Sequence, residues 1–200
     1  MNKKQIALLT IFVALLLDQV SKIYIKTHFQ LGQEVVVFAD WFKIHFTENN
    51  GMAWGFELGG KSGKLFLTLF RLVAVSGIVY WLWSSLKRNA HTMVIVAISL
   101  IFAGAIGNII DSLFYGILFD TSLYNVATLF SDAPYGEFLY GKVVDMLYFP
   151  MWEGTLPSWL PVVGGNQFTF FNAIFNGADS FISIGVLLLF LFQKEAFPKE

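Results

Sequence analysis

The chain contains no cysteine in 200 residues, which excludes a thiol nucleophile and a thiolate metal site. Charge is scarce too: 14% of residues are Asp, Glu, Lys or Arg, against roughly 25% in an ordinary soluble domain. The formal net charge of -1 gives no electrostatic footing for nucleic acid, and no basic stripe or RNA-binding motif is present. No His-Glu-x-x-His zinc motif, Gly-x-Ser-x-Gly elbow or P-loop occurs. There is no internal repeat, low-complexity tract or linker, so residues 1–200 are expected to form a single domain.

What the chain does have is apolar surface, 56% of its residues being hydrophobic. That excess cannot be hidden in one small core, and a bilayer is the expected solvent. A helical span needs about 20 residues, and four stretches qualify: residues 5–25, 65–86, 92–115 and 174–193. The first resembles a secretory signal, with Lys3 and Lys4 ahead of the apolar stretch 6–17. It runs on into Asp18-Gln19-Val20-Ser21-Lys22 with no A-x-A-like cleavage site, so a retained transmembrane helix is expected. Lys3, Lys4, Lys87, Arg88, Lys194 and Lys199 then fall on one side, which the positive-inside rule makes cytoplasmic. The expected architecture is an all-α membrane protein with four transmembrane helices and both termini cytoplasmic.

Two long outer loops follow from that topology, 26–64 and 116–173. In the first, Glu34-Val35-Val36-Val37-Phe38 is β-prone and Trp41-Phe42-Lys43-Ile44-His45-Phe46-Thr47 alternates apolar and polar residues. With Ala39-Asp40 as a turn, they predict a small outer β-sheet ending at Asn49-Asn50-Gly51. The second loop mixes aromatics with Gly and Pro, as in Leu156-Pro157-Ser158-Trp159-Leu160-Pro161, and is expected to lie at the membrane surface as an interfacial loop or helix.

Two carboxylates stand at membrane margins. Asp179 opens the apolar run 181–192, and Asp145 runs into Met146-Leu147-Tyr148-Phe149. A carboxylate near mid-bilayer costs on the order of 2.5–3.5 kcal/mol, less toward the interface, and persists mainly for function. Two of them brought together can share a proton, the chemistry of an aspartic protease. Polar pairs accompany them. Asp18 and Lys22 are spaced i,i+4, Asn108 and Asp111 i,i+3, and Asn176 and Asp179 repeat the Asn-x-x-Asp spacing. Each pair read alone fits helix packing or charge neutralisation as well as a site. Arg71 lies inside the second span and must pair or snorkel. His28, His45 and His91 are scattered and are expected to be ordinary surface or interface residues.

Five blocks occur in the order seen in bacterial lipoprotein signal peptidase (signal peptidase II). They are Asp18-Gln19-Val20-Ser21-Lys22, Asn49-Asn50-Gly51-Met52-Ala53-Trp54-Gly55, Gly107-Asn108-Ile109-Ile110-Asp111, Val143-Val144-Asp145 and Phe175-Asn176-Gly177-Ala178-Asp179-Ser180. The chain resembles that family over essentially its whole length. The resemblance implies a monomeric aspartyl endopeptidase of the bacterial inner membrane, its site facing the periplasm. Such an enzyme removes signal peptides from prolipoproteins bearing a diacylglyceryl-cysteine, uses no metal or organic cofactor, and is blocked by cyclic peptide antibiotics. It further implies Asp145 and Asp179 as the dyad, Asn176 orienting it, and Asp18, Lys22, Asn49, Gly51, Asn108 and Asp111 supporting and lining the site. The outer sheet would cradle the substrate while its lipid tails, and membrane lipid, stay between helices.

Two departures stand out. Ser112 occupies the position where the family has an arginine, with Arg71 or Lys142 as candidates to replace it. Gly116-Ile117-Leu118-Phe119-Asp120 has the family's spacing for the first catalytic aspartate, whereas Gly141-Lys142-Val143-Val144-Asp145 has its residue pattern. Asp145 is preferred because Met146 to Phe149 would hold it against the membrane, while Asp120 leads into Thr121-Ser122. Residues 118–140 are then an insertion, read as an outer flap over the site. The competing readings are a small transporter or channel with proton-binding acids, and a non-catalytic membrane scaffold.

Overall fold

The computed structural model describes residues 1–51 and 60–197. The Met52–Gly55 part of the second block and Lys199 lie outside the described residues. Helix α1 covers Lys3–His28, α2 Gly60–Lys87 and α3 Thr92–Ile110. All three are long and apolar enough to cross a membrane, α3 being continued by a π-helical turn, Asp111–Tyr115, and a last turn α4, Gly116–Leu118. Helix α5, Gly177–Leu191, is apolar but has 15 residues, and α6, Gln193–Ala196, follows it directly.

The fourth stretch therefore starts later than its hydropathy suggests. Ile174–Phe175 form a short strand, and Asn176 caps α5 by accepting from the Asp179 amide while Asp179 accepts from the Asn176 amide. Hydropathy is blind to this boundary because 174–175 are as apolar as the helix. The reciprocal capping box sets it.

The strands are β1 Glu34–Phe38, β2 Phe42–Asn49, β3 Val143–Tyr148, β4 Trp152–Thr155, β5 Gln167–Phe170 and β6 Ile174–Phe175. They build an antiparallel sheet in the order β1-β2-β3-β6 and a separate β4-β5 ribbon. The expected β1-β2 hairpin is present, with Ala39–Trp41 as one 3-10 turn. The second outer loop differs from its expectation: no helix follows α4 until α5, and the loop supplies four strands. Phe149 at the base of the ribbon stacks on Phe42 at 4.7 Å and on Phe175 at 5.7 Å.

The insertion 118–140 is not a flap. Phe119 and Ala127 are buried with Ile25, Tyr115, Phe46, Val144 and Met146, forming the core under the sheet. A π turn pushes backbone carbonyls out of the α ladder. Here the Ser112 and Leu113 carbonyls accept from the Gly141 and Leu139 amides at 2.9 and 3.1 Å, and the Gly116 carbonyl just beyond the turn accepts from Gly136 at 2.9 Å. Gly141 sits so close to the Asp111 carbonyl and the Tyr115 amide that no side chain fits there. This docking delivers β3 to the end of α3.

Helix α3 is the hub, packed on α1, α2 and α5. Its contact with α5 uses small residues. A Cβ on Gly104 would strike the Ala178 carbonyl and Ile182, and one on Gly185 would lie 2.7 Å from the Ala97 carbonyl. At the end away from the sheet, Lys3 Nζ donates to the Asn89 and Ala90 carbonyls at 2.9 and 2.8 Å. Ala196 packs there against Val94 and Ile98. The start of α1 thus meets the α2–α3 loop, and Ala196 meets the first turns of α3, at the same end of the bundle.

Candidate functional site

The other end holds the polar residues. The loop before α5 and the ends of β2 and β3 meet α2 and α3 around a cavity of about 540 Å³. Asn49, Gly51, Arg71, Asn108, Asp145 and Asp179 line it, together with Thr47, Glu48, Val143 and residues 172–175. Asp145 and Asp179, far apart in the chain, thereby face one space. Asp120 is not among the lining residues. Its carboxylate accepts from the Thr128 amide at 2.7 Å and holds a loop.

Asp145 is 4% exposed on the central strand β3. Protein atoms alone bury it, while its strand neighbours Val144 and Met146 point to the opposite face, into the core under the sheet. Asn176 Nδ2 donates to its Oδ1 at 2.7 Å and Asn49 Nδ2 donates to its Oδ2. Burial pushes the Asp145 carboxyl up to about 7, and the neighbouring charge of Asp179 adds to that, while the two amide donors and Lys22 oppose it. Asp179, half-buried in the first turn of α5, accepts from Asn108 Nδ2 at 2.9 Å and from the Asn176 amide at 3.3 Å.

Asn176 connects the two. Besides Asp145, its Nδ2 lies 3.1 Å from Asn108 Oδ1 and 3.2 Å from the Val144 carbonyl, and its Oδ1 accepts from the Asp179 amide at 3.0 Å. It is fully buried. Asn108 is oriented in turn by Lys22, whose Nζ donates to Asn108 Oδ1 at 2.8 Å.

Lys22 also bridges Asp18 at 2.9 Å and Asp111 at 2.8 Å, all three residues being at most 1% exposed. Asp18 Oδ1 accepts from the Ala178 amide at 2.8 Å, fixing the start of α5 against α1. Asp111 Oδ2 accepts from the Val144 amide at 3.4 Å, one residue before Asp145. The i,i+4 and i,i+3 pairs thus form one network reaching both halves of the site.

Ser112 does not restore a charge, since its Oγ donates to the Asn108 carbonyl at 3.0 Å. Lys142 lies 3.5 Å from Glu48, which also pairs with the buried Lys26. Arg71 reaches the cavity and donates to the Gly51 carbonyl. The three histidines stay outside it: His28 stacks on Tyr24, His45 pairs with Glu34 at 2.9 Å, and His91 caps α3. No group of three or more metal-ligating side chains occurs among the described residues.

Two contributors carry no sequence expectation. Gln19 Nε2 bridges Asp18 Oδ2 at 3.0 Å and Asp111 Oδ1 at 3.1 Å, while its Oε1 accepts from Tyr115. Asn172 lines the cavity and accepts from the Tyr148 hydroxyl at 2.9 Å. Gln19 adjoins Asp18 in the first block, and that adjacency was its only signal. Asn172 had none.

The family model described as signal peptidase (SPase) II matches residues 10–193. The chain belongs to the signal peptidase II family. A lipoprotein signal peptidase of Porphyromonas gingivalis is 52% identical over 181 residues, covering 90% of this chain and 78% of that protein. One of Amoebophilus asiaticus is 38% identical over 188 residues, covering 91% and 75%. Two solved bacterial membrane enzymes share the fold. One has a TM-score of 0.62 at 26% identity, covering 97% of this chain and 91% of that one, and the other has 0.60 at 28%, covering 94% and 91%. The chain is thus a membrane protease of this family, built on three long apolar helices and a small sheet.

Proposed function

We propose that the protein is an aspartyl endopeptidase that cuts signal peptides from diacylglyceryl-modified prolipoproteins, immediately before the lipidated cysteine. The observation that carries this is the meeting of Asp145 and Asp179 in one cavity, joined through Asn176. Asp145, Asp179 and Glu48 line that cavity with Arg71 as its one basic lining residue, Glu48 being paired with Lys26 and Lys142, while Lys22 behind it is shared between Asp18 and Asp111. That excess of negative charge favours one shared proton. Asp145, the more buried carboxyl, is assigned the proton.

In the reaction Asp179 takes a proton from water, whose oxygen attacks the scissile carbonyl carbon. Asp145 donates a hydrogen bond to the carbonyl oxygen. When the C–N bond breaks, the leaving nitrogen receives a proton from the dyad. Asn49, Asn108 and Asn176 keep both carboxylates aimed.

The proposed topology puts both termini and the α2–α3 loop in the cytoplasm, with α5 and α6 as a fourth crossing. The docking of Lys3 on that loop and the clustering of basic residues at that end support it. The sheet and cavity then face the periplasm of the inner membrane. An apolar groove of about 310 Å³ between α1, α3 and α5, lined by Leu9, Val13, Leu17, Leu100 and Phe181 among others, suits a lipid chain.

The test is cleavage of a diacylglyceryl-modified prolipoprotein by purified protein, read by mass spectrometry. Wild type should cut before the modified cysteine, Asp145→Asn and Asp179→Asn should lose activity by at least a thousandfold (about 4 kcal/mol of barrier) while staying folded, and Asp120→Asn should cut. A dead Asp120→Asn beside an active Asp145→Asn would move the dyad. A wild type that never cuts would return the transporter and scaffold readings.

A further inference from the structure

Arg71 is the one basic residue among the described residues that line the cavity. It lies eleven positions into α2, roughly 17 Å along the helix axis at 1.5 Å per residue. Its neighbours Phe66, Phe70 and Val73 are exposed on the helix surface, as expected of a face toward lipid. A guanidinium at such a position marks a functional contact unless it merely knits helices together, and its contact here is with a turn.

Arg71 Nη2 donates to the Gly51 carbonyl. Gly51 has φ +92°, a backbone state open to glycine, and a Cβ there would lie 2.7 Å from Arg71 Nη1 and 3.3 Å from Cζ. The guanidinium therefore packs directly on the Gly51 Cα. The Gly51 amide donates to Asn49 Oδ1, and Asn49 Nδ2 donates to Asp145 Oδ2. With its oxygen held by Gly51, the side-chain amide of Asn49 turns its N–H toward Asp145.

The geometry points to Arg71 as a positioning residue for the cleavage reaction, acting through Gly51 and Asn49 on Asp145 and setting the charge of the cavity. This rests on the aspartyl reading and deepens it. The charged groups facing Arg71 are Asp179 from α5, Asp111 beyond the end of α3 and Asp145 from β3. Glu48 from β2 also lines the cavity, tied to Lys26 and Lys142; Lys22 from α1 lies behind it, tied to Asp18 and Asp111, and Lys64 of α2 donates to Asn50 beside Gly51 at 3.1 Å. Removing the guanidinium frees the turn and withdraws a positive charge from the carboxylates together.

The experiment measures kcat, KM and the pH–rate profile on the prolipoprotein substrate for wild type, Arg71→Gln, Arg71→Lys, Gly51→Ala and Asp179→Asn. Thermal midpoints are recorded alongside. Arg71→Gln should lower kcat by about ten- to a hundredfold, as a misplaced group does, with KM changed less than about threefold. The acidic limb of its profile should move to higher pH, because a lost positive charge makes the acids harder to ionise. Arg71→Lys keeps the charge without the planar fork, so the limb should return to its wild-type place while kcat recovers only in part. Gly51→Ala, which crowds the guanidinium without removing it, should repeat the fall in kcat.

A lowered thermal midpoint in Arg71→Gln with kcat per folded molecule and acidic limb unchanged would overturn the proposal, leaving Arg71 as packing. If Arg71→Gln does not fold, Gly51→Ala and Arg71→Lys decide: wild-type kcat in both overturns it, and a reduced kcat at constant KM in both supports it. Activity retained in Asp179→Asn would sink the dyad reading and this one together. A dead Asp179→Asn beside an unaffected Arg71→Gln would sink this one alone.

Discussion

Asp145 is the residue at which burial and hydrogen bonding oppose each other most plainly. Its folded-state value of about 7 lies above the ordinary 3.8, so between those limits the folded protein holds a proton that the unfolded chain has released. Stability from that proton is complete below about 3.8 and is lost as pH rises through about 7. Asp145→Asn has no such proton to lose. Its thermal midpoint relative to wild type should therefore rise between about pH 4 and pH 7 and level off above, and a constant difference across that range would contradict the burial argument. Lys22 makes the converse case. It neutralises two buried carboxylates, and Lys22→Met should destabilise by about 3–5 kcal/mol, the cost of stranding buried charge, seen as a large fall in the midpoint. These side chains were legible from their types and spacings at membrane margins. Gln19 was less so, because a glutamine beside an aspartate is common and only the three-dimensional approach of Asp111 gives it two carboxylates to bridge.

At the scale of elements, α3 and α5 place Asn108 against Asp179, and they can do so because Gly104 lets the two backbones close. Gly104→Val should push α5 outward, stretch the Asn108–Asp179 bond of 2.9 Å, and cut kcat by about a hundredfold or more in protein that still purifies intact. Wild-type turnover in that variant would show that the approach is slack. The β1-β2 hairpin was legible because period-two alternation signals one buried face. Strand β3 was not: five of its six residues are buried, Asp145 among them, and Leu147 is half-buried. A strand covered on both faces carries no alternation. The start of α5 was hidden in a continuous apolar run, although the Asn176–Asp179 spacing was already the signature of its cap.

For the whole molecule, the clustering of Lys3 with the α2–α3 loop at one end and of the cavity at the other gives the bundle a defined polarity. The lack of native cysteine makes that polarity simple to test. Arg88 and Glu153 are both exposed, at opposite ends. In spheroplasts a membrane-impermeant maleimide should label Glu153→Cys and leave Arg88→Cys unlabelled until the membrane is disrupted. The reverse pattern would invert the topology.

The pairing of β3 with β6 has a consequence for how this protease can be extended. Leu147 opposes Phe175 and Tyr148 opposes Ile174, so the chain leaves and re-enters the sheet at adjacent points on its way from Asp145 to Asp179. Everything between, including the β4-β5 ribbon, is a loop whose mouth is stapled shut. Its length is uncoupled from the separation of the two carboxylates, which makes the turn between β4 and β5 a natural insertion port for a tag or an added module.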